Sequence, residues 1–134
     1  MSGKHAIQVE EIMTRGIFTA NLDQTWKDVA RKMSAKQIHH LVIVDKDHRP
    51  VSVLSTFDFL RFAGGEAPNP EKTLAETINS PKLFSIRQEA TLADVVNELN
   101  NHHVDCLVVE SAENKVVGIV TPRDVMNVLF RDDV

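Results

Sequence analysis

One cysteine in 134 residues excludes an internal disulfide. That residue, Cys106, sits in the apolar run Val104 to Val109, so a buried, reduced thiol is expected, and no local pattern marks it as a nucleophile. Tyrosine is absent. There is no Gly-rich phosphate loop, no serine elbow and no metal-ligand cluster, so no acid, base and nucleophile converge, and an enzyme is not expected. No apolar stretch approaches the roughly 20 residues that cross a bilayer. The opening MSGKHAIQVEE lacks the apolar core of a signal peptide. A soluble cytoplasmic protein without a membrane partner is the expectation. Basic charge is also scarce, with 15 Lys and Arg against 19 Asp and Glu and a net charge of −4. A general nucleic-acid binder normally shows a basic stripe, so nucleic acid is not an expected partner. A single nucleotide needs only a few local cations and stays open.

What the chain has, it has twice. Residues 74–129 repeat residues 8–63 at a constant offset of 66, without a gap. Identities include Glu10/Glu76, Phe18/Phe84, Thr25/Thr91, Asp28/Asp94, Leu41/Leu107, Val51/Val117 and Asp58/Asp124. Two copies are too few for a solenoid, which needs about three. A hydrophobic fraction of 43% suits one compact domain. The organisation is a first repeat at 8–63, a linker at 64–73 and a second repeat at 74–130. A unit of this size seldom buries its own core, so the copies are expected to pack on each other, with a ligand in the seam.

Each copy reads as lead-in, helix, strand, strand, helix, an α/β (α+β) pattern. Thr25-Trp26-Lys27-Asp28 and Thr91-Leu92-Ala93-Asp94 place a hydroxyl three residues before a carboxylate, a capping box with Asp in the Glu position. Trp26, Val29, Ala30 and Met33, and in the other copy Leu92, Val95, Val96 and Leu99, recur at helical spacing. The short β-branched runs Leu41–Val44 and Cys106–Val109 suit strands buried on both faces. Polar turns at 45–49 and 111–115 lead to second strands at Val51–Leu54 and Val116–Val120, giving two hairpins. Ser55-Thr56-Phe57-Asp58 and Thr121-Pro122-Arg123-Asp124 open the closing helices, the first running through Phe59-Leu60-Arg61-Phe62 and stopped by Gly64-Gly65.

The opening Ile12-Met13-Thr14, the Thr25 helix, the segment Ile38 to Asp45 and the closing Gly118-Ile119-Val120-Thr121-Pro122-Arg123-Asp124 together resemble a CBS domain, named for cystathionine β-synthase. The whole chain resembles a tandem CBS pair. The resemblance implies a pseudo-two-fold module, two small sheets packed together with helices outside, a disk-like homodimer and clefts for adenine nucleotides. AMP, ADP or ATP are the implied ligands, with S-adenosylmethionine or a cyclic dinucleotide found in some members. No catalytic cofactor or metal is implied.

A carboxylate can accept both hydroxyls of a ribose, and a helix N-terminus beside it offers N–H groups and a partial positive end to phosphates. By resemblance, Asp124 would take the ribose, Thr121 and Arg123 would lie near the phosphates and Ile119 would touch the base. Thr14, Ile17, Thr19, Ile38 and His39 would come from the opposite repeat. The pseudo-symmetric cleft would use Ser55, Phe57 and Asp58 with Ser80, Leu83, Ser85, Val104 and Asp105. It departs from the pattern, with Ser52 in place of the glycine, Phe57 matching Arg123, and Asp105 matching His39. The Asp124 cleft is therefore favoured, and the Asp58 cleft is expected to be weak, empty or selective for an uncharged nucleoside.

A simpler role stands beside this one. Asp58 and Asp124 fall at the third helical position, where a carboxylate meets the helix dipole without any ligand. His39-His40 and His102-His103 do not align with each other, and adjacent strand residues point to opposite faces, so a shared metal is not expected. Two functions remain. One is a nucleotide sensor whose occupancy changes its packing and is read by a regulated protein. The other is a constitutive dimerisation or interaction module with vestigial clefts.

Overall fold

The computed structural model describes residues 3–60, 69–77 and 83–130. These fall into two compact units, a central one drawn from 18–83 and a terminal one drawn from 1–17 and 84–134. The described strands form two three-stranded sheets, one per unit.

In the central unit, β1 (Thr19–Asn21) lies parallel to β2 (His40–Val44), and β3 (Pro50–Ser55) lies antiparallel beside it, in the order β1-β2-β3. A parallel pair needs a crossover, and an α-helix at Trp26–Lys36 supplies it. In the terminal unit β4 (Ser85–Arg87), β5 (Leu107–Glu110) and β6 (Val116–Val120) repeat that order, with a crossover helix at Leu92–His102. In chain order the α-helices are α1 (Val9–Ile12), α2 (Trp26–Lys36), α3 (Leu74–Thr77), α4 (Leu92–His102) and α5 (Pro122–Leu129). The mixed α+β reading of the sequence is correct.

The crossover helices start where their capping boxes place them. The Asp28 N–H donates to Thr25 Oγ1 at 3.1 Å, and the Thr25 N–H to Asp28 Oδ2 at 3.3 Å. Thr91 and Asp94 exchange the same bonds at 3.3 and 2.9 Å. A cap of this kind stabilises by about 1 kcal/mol. Both helices stop on a left-handed residue, Gln37 and His103, each at φ 53°.

The units of packing are not bounded as the sequence repeats are. Val9 and Ile12, at the start of the first repeat, lie in the core of the terminal unit with Leu92, Val95, Leu107 and Val120. Leu74, at the start of the second repeat, lies in the core of the central unit with Trp26, Val29, Leu41 and Ile43. Backbone bonds fix both lead-ins. The Val9 N–H donates to the Ala90 carbonyl at 2.7 Å, and the Leu74 N–H to that of Gln24 at 2.8 Å.

Two local readings need correction. Cys106 precedes β5 rather than opening it, because the strand pairing runs from Leu107 opposite Val120. The turn after Ser55 is a 3-10 turn at Thr56–Phe59, a tighter winding common where a helix begins. Arg61, Phe62, Gly64 and Gly65, and half of the expected linker, lie outside the described residues.

Candidate functional site at the start of the closing helix

Thr121 ends β6 in an extended conformation, φ −129° and ψ 168°, and Pro122 occupies the first position of α5, where its missing N–H leaves no bond unmade. This start puts Asp124 at the third helical position. Its Oδ2 accepts the Thr121 N–H at 3.0 Å and, more weakly, the Thr121 hydroxyl at 3.4 Å.

The lead-in completes the cluster. Thr14 and Ile119 form an antiparallel bridge, the Thr14 N–H donating to Ile119 O at 2.8 Å and the Ile119 N–H to Thr14 O at 3.0 Å. That pairing delivers the Thr14 hydroxyl to Asp124 Oδ1 at 3.0 Å. The approach depends on Gly118. A Cβ there would stand 2.7 Å from the Thr14 carbonyl oxygen and 2.8 Å from Met13 Sδ, closer than real contacts allow.

Of the residues expected at this site, the structure brings Thr14, Ile119, Thr121 and Asp124 together. Arg123 is exposed at the second position of α5, and Ile17 is half-buried in the same unit. Thr19, Ile38 and His39 belong to the central unit. Thr19 opens β1, Ile38 packs against the central core, and the His39 carbonyl accepts the Thr56 N–H at 3.1 Å.

The second set is divided in the same way. In the central unit the Ser55 N–H donates to Asp58 Oδ2 at 2.8 Å, Phe57 is 72% exposed and Leu83 is half-buried. Ser85, Val104 and Asp105 lie in the terminal unit, and Ser80 lies outside the described residues.

One feature escaped the sequence reading. In the central unit a groove of about 640 Å³ runs beside α2, lined by Met33, Gln37, Ile38, His39, Thr56 and Phe59 among others. That volume is within the usual range for small-molecule pockets. The helical stripe of α2 was visible in sequence, but the open space beside Phe59 leaves no periodic signal.

Cys106 is buried, and its thiol is pushed up to about 12, first by that burial and then by the negative charges of Asp105 and Asp124. It is a protonated, inert thiol at neutral pH. His102 stacks on Phe84 with ring centroids 4.2 Å apart, and its Nε2 lies 3.4 Å from Glu98 Oε1. Among the described residues no group of three metal-type side chains gathers, and no helix is long and apolar enough to cross a membrane.

Comparison with known proteins bears on this geometry. The family model for the CBS domain matches residues 9–65 and 75–131. An uncharacterised protein of Methanopyrus kandleri is 23% identical over 123 residues, covering 92% of this chain and 63% of the relative, so the chain spans less than two thirds of that protein. A CBS domain pair solved in complex with 5′-methylthioadenosine and S-adenosyl-L-methionine is similar in fold, with a TM-score of 0.79 at 21% identity, covering 92% of this chain and 96% of that one. The cytosolic domain of the Mg²⁺ channel MgtE, solved in complex with ATP, has a TM-score of 0.76 at 25% identity, covering 91% of this chain and 48% of that one.

Proposed function

The chain belongs to the CBS domain family, and from that premise we propose that it is a regulatory module that binds an adenine nucleotide at the start of α5 without turning it over. The observation that carries this reading is the Asp124 carboxylate, held by Thr121 and Thr14 beside a helix N-terminus with Arg123 exposed next to it. The carboxylate accepts ribose hydroxyls. The free N–H groups and partial positive end of α5, with the Arg123 guanidinium, attract phosphate. Ile119 offers an apolar contact for the base, and Ile17 lies in the same unit. The MgtE domain, solved with ATP, supports this ligand class. AMP, ADP and ATP fit a site with a cation beside a helix start, and S-adenosylmethionine or a cyclic dinucleotide ranks behind them. The start of the central unit's closing turn, Ser55, Phe57 and Asp58, is a weaker site. Phe57 offers no charge to a phosphate there.

The output is a change in the packing of a homodimer, read by a regulated protein in the cytoplasm. Such a switch works only if the nucleotide binds one packing state more tightly than the other.

A second reading rests on one observation. Phe57, Leu60, Met126 and Phe130 are 72%, 60%, 52% and 80% exposed, large apolar side chains that suit a standing protein contact. A thermal-shift series separates the two. With ATP at 100 times its dissociation constant the protein gains about 2.7 kcal/mol. Asp124→Ala loses that gain and Asp58→Ala keeps most of it. No shift with AMP, ADP or ATP, in folded and nucleotide-free protein, leaves the constitutive contact module as the function.

A further inference from the structure

The Asp124 carboxylate is already engaged by the protein itself. Oδ2 accepts the Thr121 N–H at 3.0 Å and its hydroxyl at 3.4 Å, and Oδ1 accepts the Thr14 hydroxyl at 3.0 Å. An ionised carboxylate has about four acceptor positions, so roughly one stays open. A ribose cis-diol brings two donors. We propose that the Thr14 hydroxyl is an internal competitor for the sugar on Asp124, displaced by any ligand that uses both ribose hydroxyls. This rests on the reading that Asp124 receives the ribose.

Geometry selects Thr14 as the group that yields. The Thr121 N–H is fixed by the start of α5 and cannot leave without unwinding it. The Thr121 hydroxyl shares Oδ2 with that N–H, so its release opens no position on Oδ1, where Thr14 sits. Thr14 is exposed, and its hydroxyl can rotate away while the backbone bridge to Ile119 stays closed at 2.8 and 3.0 Å. The same bridge holds the hydroxyl at the carboxylate in the free protein, so the competing bond forms with little loss of freedom. Thr14 therefore sets selectivity by subtraction. It weakens ligands that need both hydroxyl positions and spares those that need one.

The test is calorimetric titration of the full chain with ATP and with 2′-deoxy-ATP. Thr14→Val keeps the β-branched shape and removes the donor. It binds ATP about three- to tenfold tighter than wild type, the equivalent of one ordinary net hydrogen bond. Its affinity for 2′-deoxy-ATP changes little, so the preference for ATP widens. Thr14→Ser restores the hydroxyl and the wild-type competition. Thr14→Ala provides a second donor-free variant, and circular dichroism verifies that each protein is folded. Unchanged or weaker ATP binding in both donor-free variants overturns the competition, as does a Ser variant that behaves like Val. Asp124→Asn judges the underlying reading separately. Loss of ATP binding in that variant upholds Asp124 as the ribose acceptor whatever Thr14 does, and ATP binding at wild-type strength removes both proposals.

Discussion

The Asp124 turn and the Asp58 turn occupy the same place in two copies of one pattern, and they have diverged in what surrounds them. Both carboxylates accept the N–H of the residue three positions before, at 3.0 Å from Thr121 and 2.8 Å from Ser55. Beyond that bond they part. The terminal copy continues into the eight-residue α5, whereas the central copy winds first as a 3-10 turn. The terminal copy has Gly118 and a lead-in backbone pressed against it, and the central copy has a buried Ser52 at the matching position. The crossover helices differ in charge as well. α2 carries Lys27, Arg31, Lys32 and Lys36 against Asp28, and α4 carries Asp94 and Glu98 with no Lys or Arg. The two copies share the hydrogen bonds that start their elements and differ in the exposed side chains around them.

The largest expected effect separates Cys106 from His40, its counterpart in the first copy. Burial raises the Cys106 thiol from 9.0 to about 12. An acid whose folded pKa lies above its unfolded value keeps full stability below the unfolded value. Between pH 9 and 12 the unfolded chain gives up the proton that the folded chain retains, so stability falls as pH rises. The loss reaches on the order of 4 kcal/mol at the top of that range. Urea unfolding of wild type and Cys106→Ala across that range measures it. The wild-type curve falls more steeply, and parallel curves would show that the thiol is not held in this way. The same burial predicts that native protein at pH 8 resists alkylation.

Next in size is Gly118→Ala. The added Cβ meets a backbone oxygen at 2.7 Å, which cannot turn aside as a side chain would, so the lead-in must shift. The expected loss is about 1–3 kcal/mol in denaturant unfolding. It is accompanied by weaker binding of the proposed nucleotide, because Ile119, bridged to the lead-in and proposed to touch the base, moves with it. Ser52 already carries a Cβ, so Ser52→Ala leaves the Asp124 site unaffected. Equal loss of binding in both variants would erase the distinction between the copies.

What could be read in the chain was local. Thr25 with Asp28 and Thr91 with Asp94 are three residues apart, and their bonds form where the spacing places them. The β-branched runs became β2 and β5 for a similar reason, since alternation and burial act over a few residues. Thr121 and Asp124 were legible on the same terms. The bond between Thr14 and Asp124 spans 110 positions, and no periodicity encodes it. Only the family resemblance put those residues in one site. The passage of Val9 into the terminal core and of Leu74 into the central core is likewise a matter of long-range pairing. Gly118 appeared in the sequence as part of a pattern, and its necessity is visible only in the approach of the Thr14 carbonyl.

The smallest effect lies at the hairpin turns, where the copies solve one problem with different acceptors. Asp45 accepts the N–H groups of Asp47 and Arg49, both at 2.9 Å. At the matching place the Ser111 hydroxyl oxygen accepts those of Glu113 and Lys115, at 3.3 and 3.4 Å. His48 and Asn114 then take the same left-handed conformation at φ 62°. The backbone bond from Arg49 is the main cause holding the Asp45 carboxyl below its ordinary 3.8. An acid with a lowered folded pKa contributes its stability above the unfolded value and loses it as pH falls through the folded one. Ser111 has no carboxyl proton to gain. In an NMR titration from pH 6 to about 2, the Asp47 and Arg49 amide protons shift with one midpoint below 3.8. The Lys115 amide follows no such midpoint. Asp45→Ser abolishes the titration in the first turn, and Ser111→Asp creates one in the second. A midpoint at the ordinary carboxylate value would mean that the turn donates nothing to the charge. A Lys115 amide titrating like that of Arg49 would mean that the two turns are not chemically distinct.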